Sequence, residues 1–281
     1  MTLKVKNLCK EYKDFHLDNI SFELPKGFIM GFVGKNGAGK STTIKSILNM
    51  IDFKGEILVE GEDNKNKEFE IKQKIGALVD MPFFPVSFTL AQVERYVGNF
   101  YKNWDKECYY NLLKKFELSP KKKVGELSRG MGVKLQLAVA LSHKAELLIL
   151  DEPTSGLDPV ARDELLDILM EYIEDGNNSI LFSTHISTDL EKIADYITIL
   201  SNGKIFYTGE KDSLTEKYVI VKGDVSKLSE DIQRKLIGVH KYRNGFDAMM
   251  EKSDYEKIDS NIFYAENASI EDILVYAERR N

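Results

Sequence analysis

Apolar and polar residues alternate with period two over Leu3 to Val5 and again over Leu17 to Leu24, which predicts two half-buried antiparallel strands around a turn. Pro25-Lys26-Gly27 interrupts that pattern, and Phe28 to Val33 follows as an unbroken apolar run, the mark of a strand covered on both faces. A glycine-rich stretch leads from it into a helix read over Lys40 to Met50. Gly55 to Val59 reads as a short strand, Gly61 to Lys67 as a polar turn, and Lys67 to Ile75 as a helix. Pro82 and Pro85 then bracket two phenylalanines. Beyond them Thr89 to Tyr101, Lys106 to Phe116 and about Met131 to Ser142 carry helical apolar spacing, so a helical insertion is expected.

Leu147 to Leu150 returns to the buried-strand pattern. The next helix is fully punctuated: Asp158 as N-cap, Pro159 at the first position, apolar residues at Leu165, Leu166, Leu169 and Ile173, and Gly176 as stop. Ser179 to Phe182 reads as a further buried strand and Thr188 to Ala194 as a helix. Tyr196 to Leu200 and Lys204 to Tyr207 form a hairpin across Asn202-Gly203. The core is expected to end near 214. After it come a strand over Tyr218 to Lys222, a helix around Asp231 to Leu236, strands near 240 and 262, and a last helix opened by Ser269 with Asp272 in a capping box. The units predicted are 1–79 with 146–214 as a core, 80–145 as a helical insertion and 215–281 as a small α/β appendage.

The 281 residues suffice for one large or two modest domains, and 43% hydrophobic with 30% charged residues is an ordinary globular balance. A net charge of −6 argues against bulk nucleic-acid binding, and Lys121 to Lys123 reads as a solvated turn. No apolar run reaches bilayer length, the first residues lack the apolar stretch of a signal peptide, and Cys9 and Cys108 fit neither a disulfide framework nor a metal site. The expectation is a protein of the reducing cytosol.

The chemistry concentrates in three places. Gly34-Lys35-Asn36-Gly37-Ala38-Gly39-Lys40-Ser41-Thr42 follows the Phe28 to Val33 strand with the spacing of a phosphate-cradling loop. Its glycines let backbone N–H groups converge on an anion, Lys40 brings a cation to the outer phosphates, and the Ser41 hydroxyl is placed for a magnesium ion. Leu147 to Glu152 delivers two carboxylates at a strand end: Asp151 for the magnesium shell and Glu152 to orient and deprotonate water. His185 follows ILFST in the same way. All three are expected at the carboxyl ends of parallel strands, where open α/β sheets bind ligands.

With these residues in hand, the chain resembles the ATP-binding subunit of ABC transporters, over residues 1 to about 215. The matching pieces are the Walker A loop Gly34 to Thr42, the Walker B strand Leu147 to Asp151 with Glu152, the D-loop Ser155-Gly156-Leu157-Asp158 and the switch His185. Leu127-Ser128-Arg129-Gly130-Met131 resembles the signature peptide, and Tyr12 resembles the aromatic residue that stacks on adenine. The resemblance implies a P-loop NTPase (RecA-like) α/β core with an antiparallel β subdomain, and catalysis by Glu152, His185 and Lys40. It also implies ATP with Mg2+ as cofactors, the signature residues Ser128, Arg129 and Gly130 meeting the ATP of a partner subunit, and docking of the helical insertion on separate membrane subunits. The result would be a homodimer or heterodimer on the inner face of the cell membrane, with no nucleic-acid partner.

Four positions depart from the family pattern. Arg129 and Met131 replace a glycine and a glutamine, Asp80 stands at the Q-loop position, and Lys35 stands where proline or serine is common. LSRGM, DPVAR and the appendage resemble the exporter group that handles drugs, antimicrobial peptides or antibiotics. The alternatives weighed against this reading are a soluble ABC ATPase acting on ribosomes or nucleic acid, and a small-molecule kinase.

Overall fold

A computed structural model describes residues 1–79, 84–258 and 262–279. The chain opens with β1 (Leu3–Glu11) and β2 (His16–Leu24), antiparallel to each other, before β3 (Ile29–Val33) crosses into a second sheet. Helix α1 (Lys40–Ile47) returns the chain to β4 (Lys54–Val59), which pairs on the far side of β1 and carries the two-residue β5 (Glu62–Asp63). Helix α1 stops three residues short of the predicted Met50. Asn49 takes a left-handed conformation, and the N–H groups of Asn49 and Met50 turn back to the carbonyls of Ser46 and Lys45, closing the helix in a Schellman motif.

Helix α2 (Glu68–Lys74) runs directly into β6 (Ile75–Leu78), a strand the pattern did not predict, because four residues follow a helix with no turn residue between. Three helices come next: α3 (Leu90–Gly98), α4 (Lys106–Lys115) and α5 (Arg129–Ser142). Tyr109 of α4 is wholly buried and donates its hydroxyl to the Leu90 carbonyl at 2.9 Å, so burial of its ring leaves no polar group unpaired. The chain then completes the second sheet with β7 (Leu147–Asp151), α6 (Pro159–Ile173), β8 (Ser179–Thr184), α7 (Ser187–Ile193) and the hairpin β9 (Tyr196–Ser201) and β10 (Lys204–Glu210).

The order in this six-stranded sheet is β10-β9-β3-β8-β7-β6, with every pair parallel except the hairpin. Successive residues of its central strands enter opposite cores, which is why these strands read as unbroken apolar runs. Met30, Phe32, Leu147, Ile149 and Leu181 pack with α1 and the first sheet, while Ile29, Val33, Leu148, Leu150 and Phe182 pack with the helices on the other face.

Helix α8 (Lys211–Lys217) leads to β11 (Tyr218–Gly223), α9 (Glu230–Gln233), β12 (Ile237–Tyr242), β13 (Gly245–Glu251), α10 (Lys252–Tyr255), β14 (Tyr264–Asn267) and α11 (Ile270–Glu278). The strands form a third sheet in the order β12-β13-β11-β14. The sequence pattern missed β13. Phe246, Ala248 and Met250 enter one core and Met249 another, so the strand shows no alternation. Ser269 caps α11 in the predicted capping box with Asp272. Ile270, Ile273 and Tyr276 of α11 lie in the same buried cluster as Leu190, Ile193 and Ile197, so the last helix joins the third sheet to the six-stranded one. No helix among the described residues is long and apolar enough to cross a membrane.

Candidate active site

Val33 of β3 is level with Thr184 of β8, and Ser183 with Asp151 of β7. Gly34, Glu152 and His185 therefore leave the sheet at one edge, at the carboxyl ends of three neighbouring parallel strands. Gly37 holds φ 84, open to glycine at no steric cost, and Gly39, at φ 112, is the N-cap of α1. A Cβ on Gly39 would stand 2.4 Å from Leu17 Cδ2 and 3.0 Å from Phe15 Cζ, so the loop is pressed against the first sheet. No side chain caps α1 at Gly39, and the N–H groups of its first turn are left to an anion.

Lys40 is the first residue of that helix. Its ammonium donates to the Gly34 carbonyl at 2.7 Å and the Lys35 carbonyl at 3.4 Å, and lies 3.4 Å from Glu152 Oε1. The side chain is only 7% exposed, so three oxygens hold a charge that would otherwise be stranded out of water. Lys35, Asn36, Gly37 and Ser41 are exposed, Thr42 is half-buried, and Ala38 and Gly39 are buried.

Glu152 occupies a left-handed backbone position, φ 50, at a cost of about 1 kcal/mol for a residue with a side chain. Its N–H donates to the Ser183 hydroxyl at 3.0 Å, while the same hydroxyl donates to Asp151 Oδ1 at 2.6 Å. One serine thus sets both acids. Glu152 Oε2 lies 2.6 Å from His185 Nδ1. A carboxylate can only accept, so Nδ1 carries the hydrogen and a neutral ring presents a lone pair at Nε2. While Nδ1 is engaged in this way, a neutral His185 has no hydrogen at Nε2 to donate to a phosphate. Donation from Nε2 requires a second proton or release from Glu152.

Asp189 lies beneath these groups, wholly buried. It accepts from Thr154 Oγ1 at 2.7 Å and Thr184 Oγ1 at 3.4 Å, and pairs with Arg162 Nε. Those partners flank Glu152 and His185, so one carboxylate fixes both segments. Sequence reasoning missed Ser183, Asp189 and Phe15. Each is ordinary in its local pattern and gains its place only from the fold.

Helix α5 begins at Arg129, two residues before the predicted Met131, because Ser128 is the N-cap and accepts from the Met131 N–H at 3.3 Å. Arg129 and Gly130 are thus helical. A Cβ on Gly130 would lie 3.2 Å from Leu157 Cδ2, and one on Gly156 3.4 Å from Arg129 Cδ. The signature peptide and the 155–158 segment therefore touch within one chain, and Asp158 caps α6 by accepting from Val160 and Ala161. Among the described residues, no hydrogen bond or ion pair joins Ser128, Arg129 or Gly130 to the Gly34 to Thr42 loop. Ser128 and Arg129 line a cleft of about 370 Å³ whose other wall includes Asp151 and Glu152.

Tyr12 lies on the turn between β1 and β2, 48% exposed, with the Lys10 ammonium 5.5 Å from its ring centre. Asp80 lies outside the described residues. The Ser41 hydroxyl and Asp151 carboxylate are both hard oxygen donors, a pair that suits a magnesium ion completing its shell with phosphate oxygens and water. A second, mainly apolar groove of about 410 Å³ runs between the core and the helical insertion, lined by Ile71, Ala77, Val97, Phe100, Tyr101 and His143 among others.

The ABC transporter family model matches residues 17–155, and an AAA domain model matches 123–188. The chain is 35% identical to the bacitracin transport ATP-binding protein BcrA of Bacillus licheniformis over 209 residues, 72% of this chain and 68% of that one. It is 34% identical to the lantibiotic transport ATP-binding protein SrtF of Streptococcus pyogenes over 215 residues, 75% and 91% of the two chains. It is also 34% identical to the xylose import ATP-binding protein XylG of Thermoanaerobacter pseudethanolicus, over 78% of this chain and 46% of the relative. Among solved structures, an ATP-binding subunit of an ABC transporter superposes with a TM-score of 0.70 at 29% identity, covering 76% of this chain and 92% of that one. With the phosphate loop, the acidic strand end and the histidine at one sheet edge, these likenesses make the chain a member of the ABC transporter ATP-binding family, an ATPase with a P-loop NTPase fold.

Proposed function

We propose that this ATPase drives export through separate membrane subunits, as a dimer whose two ATP molecules lie between the phosphate loop of one subunit and the signature peptide of the other. The observation that carries this reading is that the two phosphate-directed helix ends share no bond within one chain, among the described residues. The N-terminus of α1 serves the loop, while that of α5, capped by Ser128, has no bond to it and stands exposed. A second subunit would bring its own α5 to the vacant face of the nucleotide.

In this reading Gly34 to Thr42 wrap the phosphates, Lys40 exchanges loop carbonyls for phosphate oxygens, and Tyr12 stacks on adenine. Ser41 and Asp151 would hold magnesium, which supplies charge neutralisation of the phosphates. Glu152 takes the proton of the attacking water, and His185 fixes the carboxylate. Loss of the γ-phosphate contact releases the partner's Ser128 and Gly130 and lets the subunits part.

The apolar groove beside the helical insertion suits an amphipathic helix from a membrane subunit; exposed Phe100 lines it, and the ring of exposed Tyr96 of α3 stands 5.4 Å from that of Phe100. Such docking would hold the chain on the inner face of the cell membrane. The export reading takes its support from the bacitracin and lantibiotic transport proteins among the relatives, at 35% and 34% identity; the xylose importer, at 34%, stands as close by identity. The test is purification of the tagged chain from detergent-solubilised membranes. Recovery of a polytopic membrane protein that stimulates ATP hydrolysis is expected; recovery of ribosomes alone, unaffected by detergent, would contradict the proposal.

A further inference from the structure

The last helix reaches the phosphate loop. Glu278 ends α11, and its Oε2 lies 2.9 Å from Nζ of Lys35, in the exposed part of the loop. Both Glu278 carboxylate oxygens are withdrawn from water, yet among the described residues neither accepts an aligned hydrogen bond. The Lys35 ammonium is thus a charge partner for a buried anion that has little else to satisfy it.

Both ends of this contact are held. Tyr276 donates its hydroxyl to Asp247 Oδ1 of β13 at 2.8 Å, and Arg279 Nη1 lies 3.8 Å from the same oxygen, which ties α11 to the third sheet. Ile270 and Ile273 enter the core cluster that holds Leu190, Ile193 and Ile197. On the loop, the Lys35 carbonyl accepts from Ala38 N–H at 3.1 Å and Lys40 Nζ at 3.4 Å.

We propose that Glu278 is a positioning residue that competes with the phosphates of ATP for Lys35, so that the third sheet and α11 regulate nucleotide affinity. This rests on the loop being the ATP site. The triphosphate, more highly charged than one carboxylate and bound beside Lys35, draws the ammonium away. Glu278 is then left buried without its cation, and the end of α11 loosens. By reciprocity, a partner that lifts α11 from the loop strengthens ATP binding by the same factor.

Equilibrium ATP binding to the full chain, compared across Glu278→Gln, Lys35→Ala and the double variant, tests this. Glu278→Gln should tighten binding about three- to fivefold, the scale of one half-exposed ion pair. Lys35→Ala should weaken it, and adding Glu278→Gln to Lys35→Ala should change nothing. Hydrogen exchange of residues 270–279 should quicken on ATP addition in the wild type and not in Lys35→Ala. Unchanged or weaker binding by a folded Glu278→Gln chain, or equal tightening in both backgrounds, overturns the coupling. Failure of the wild type to bind ATP would overturn the nucleotide site itself.

Discussion

His185 Nδ1 and Glu152 Oε2 stand 2.6 Å apart, and the second oxygen of the same carboxylate lies 3.4 Å from the buried ammonium of Lys40. The proposed base is thus spanned between a ring N–H and a cation, and one of these contacts must yield before the carboxylate can turn to water. Glu152→Gln keeps the shape and loses the proton acceptor. Turnover should fall by at least about a hundredfold, the usual contribution of a positioned base, with ATP affinity within about threefold of wild type. Phosphate release and equilibrium binding measure the two; parallel losses in both would point to a binding role instead.

Ser128 caps α5, and its proposed second role, toward the partner's nucleotide, can be separated from the first by one substitution. Aspartate caps helices as well as serine does, so Ser128→Asp should leave thermal stability within about 0.5 kcal/mol of wild type. In the proposed dimer it would also set an anion against the partner's phosphates. ATP-driven association should disappear while ATP binding to the single subunit persists, as read by light scattering with and without nucleotide.

Asp189 carries no proposed chemical step, yet it ties Thr154, Thr184 and Arg162 around the segments that hold Glu152 and His185. Asp189→Asn leaves the part-exposed Arg162 without its counter-charge, at a cost of about 2–3 kcal/mol in urea unfolding. ATP hydrolysis should drop with it, because the threonines flank Glu152 and His185. A variant of unchanged stability would contradict the buried network.

His143 is buried, and burial pulls its pKa below the ordinary value although carbonyls of Val139 and Ile75 face its nitrogens at 3.1 Å. The folded chain therefore refuses a proton that the unfolded chain takes up as pH falls below about 6.5. Stability from this group is complete above that pH and declines below it. Between pH 7 and 5 the wild type should lose more unfolding stability than His143→Gln. Parallel pH profiles would refute the assignment.

Local grammar carried much of the fold. The Asp158–Pro159 start, the Ser269–Asp272 box and the Asn202-Gly203 hairpin are written in neighbouring residues, and the structure forms all three. What escaped depends on neighbours distant in sequence. Strand β6 exists because β7 offers it a parallel edge, and β13 is masked because both its faces are covered. In the site, the phosphate loop, Asp151-Glu152 and His185 announced themselves as polar residues after apolar strands. Ser183 lies within such a strand, and Glu278 meets Lys35 only because α11 folds back across the core.

The central claim is that ATP is held between two subunits, and the oligomeric state of Glu152→Gln tests it most directly. Sedimentation of that variant with saturating ATP and magnesium should give a dimer containing two nucleotides per pair, dissolving when nucleotide is removed. A homogeneous monomer that binds ATP fully under the same conditions would contradict the account for two copies of this chain.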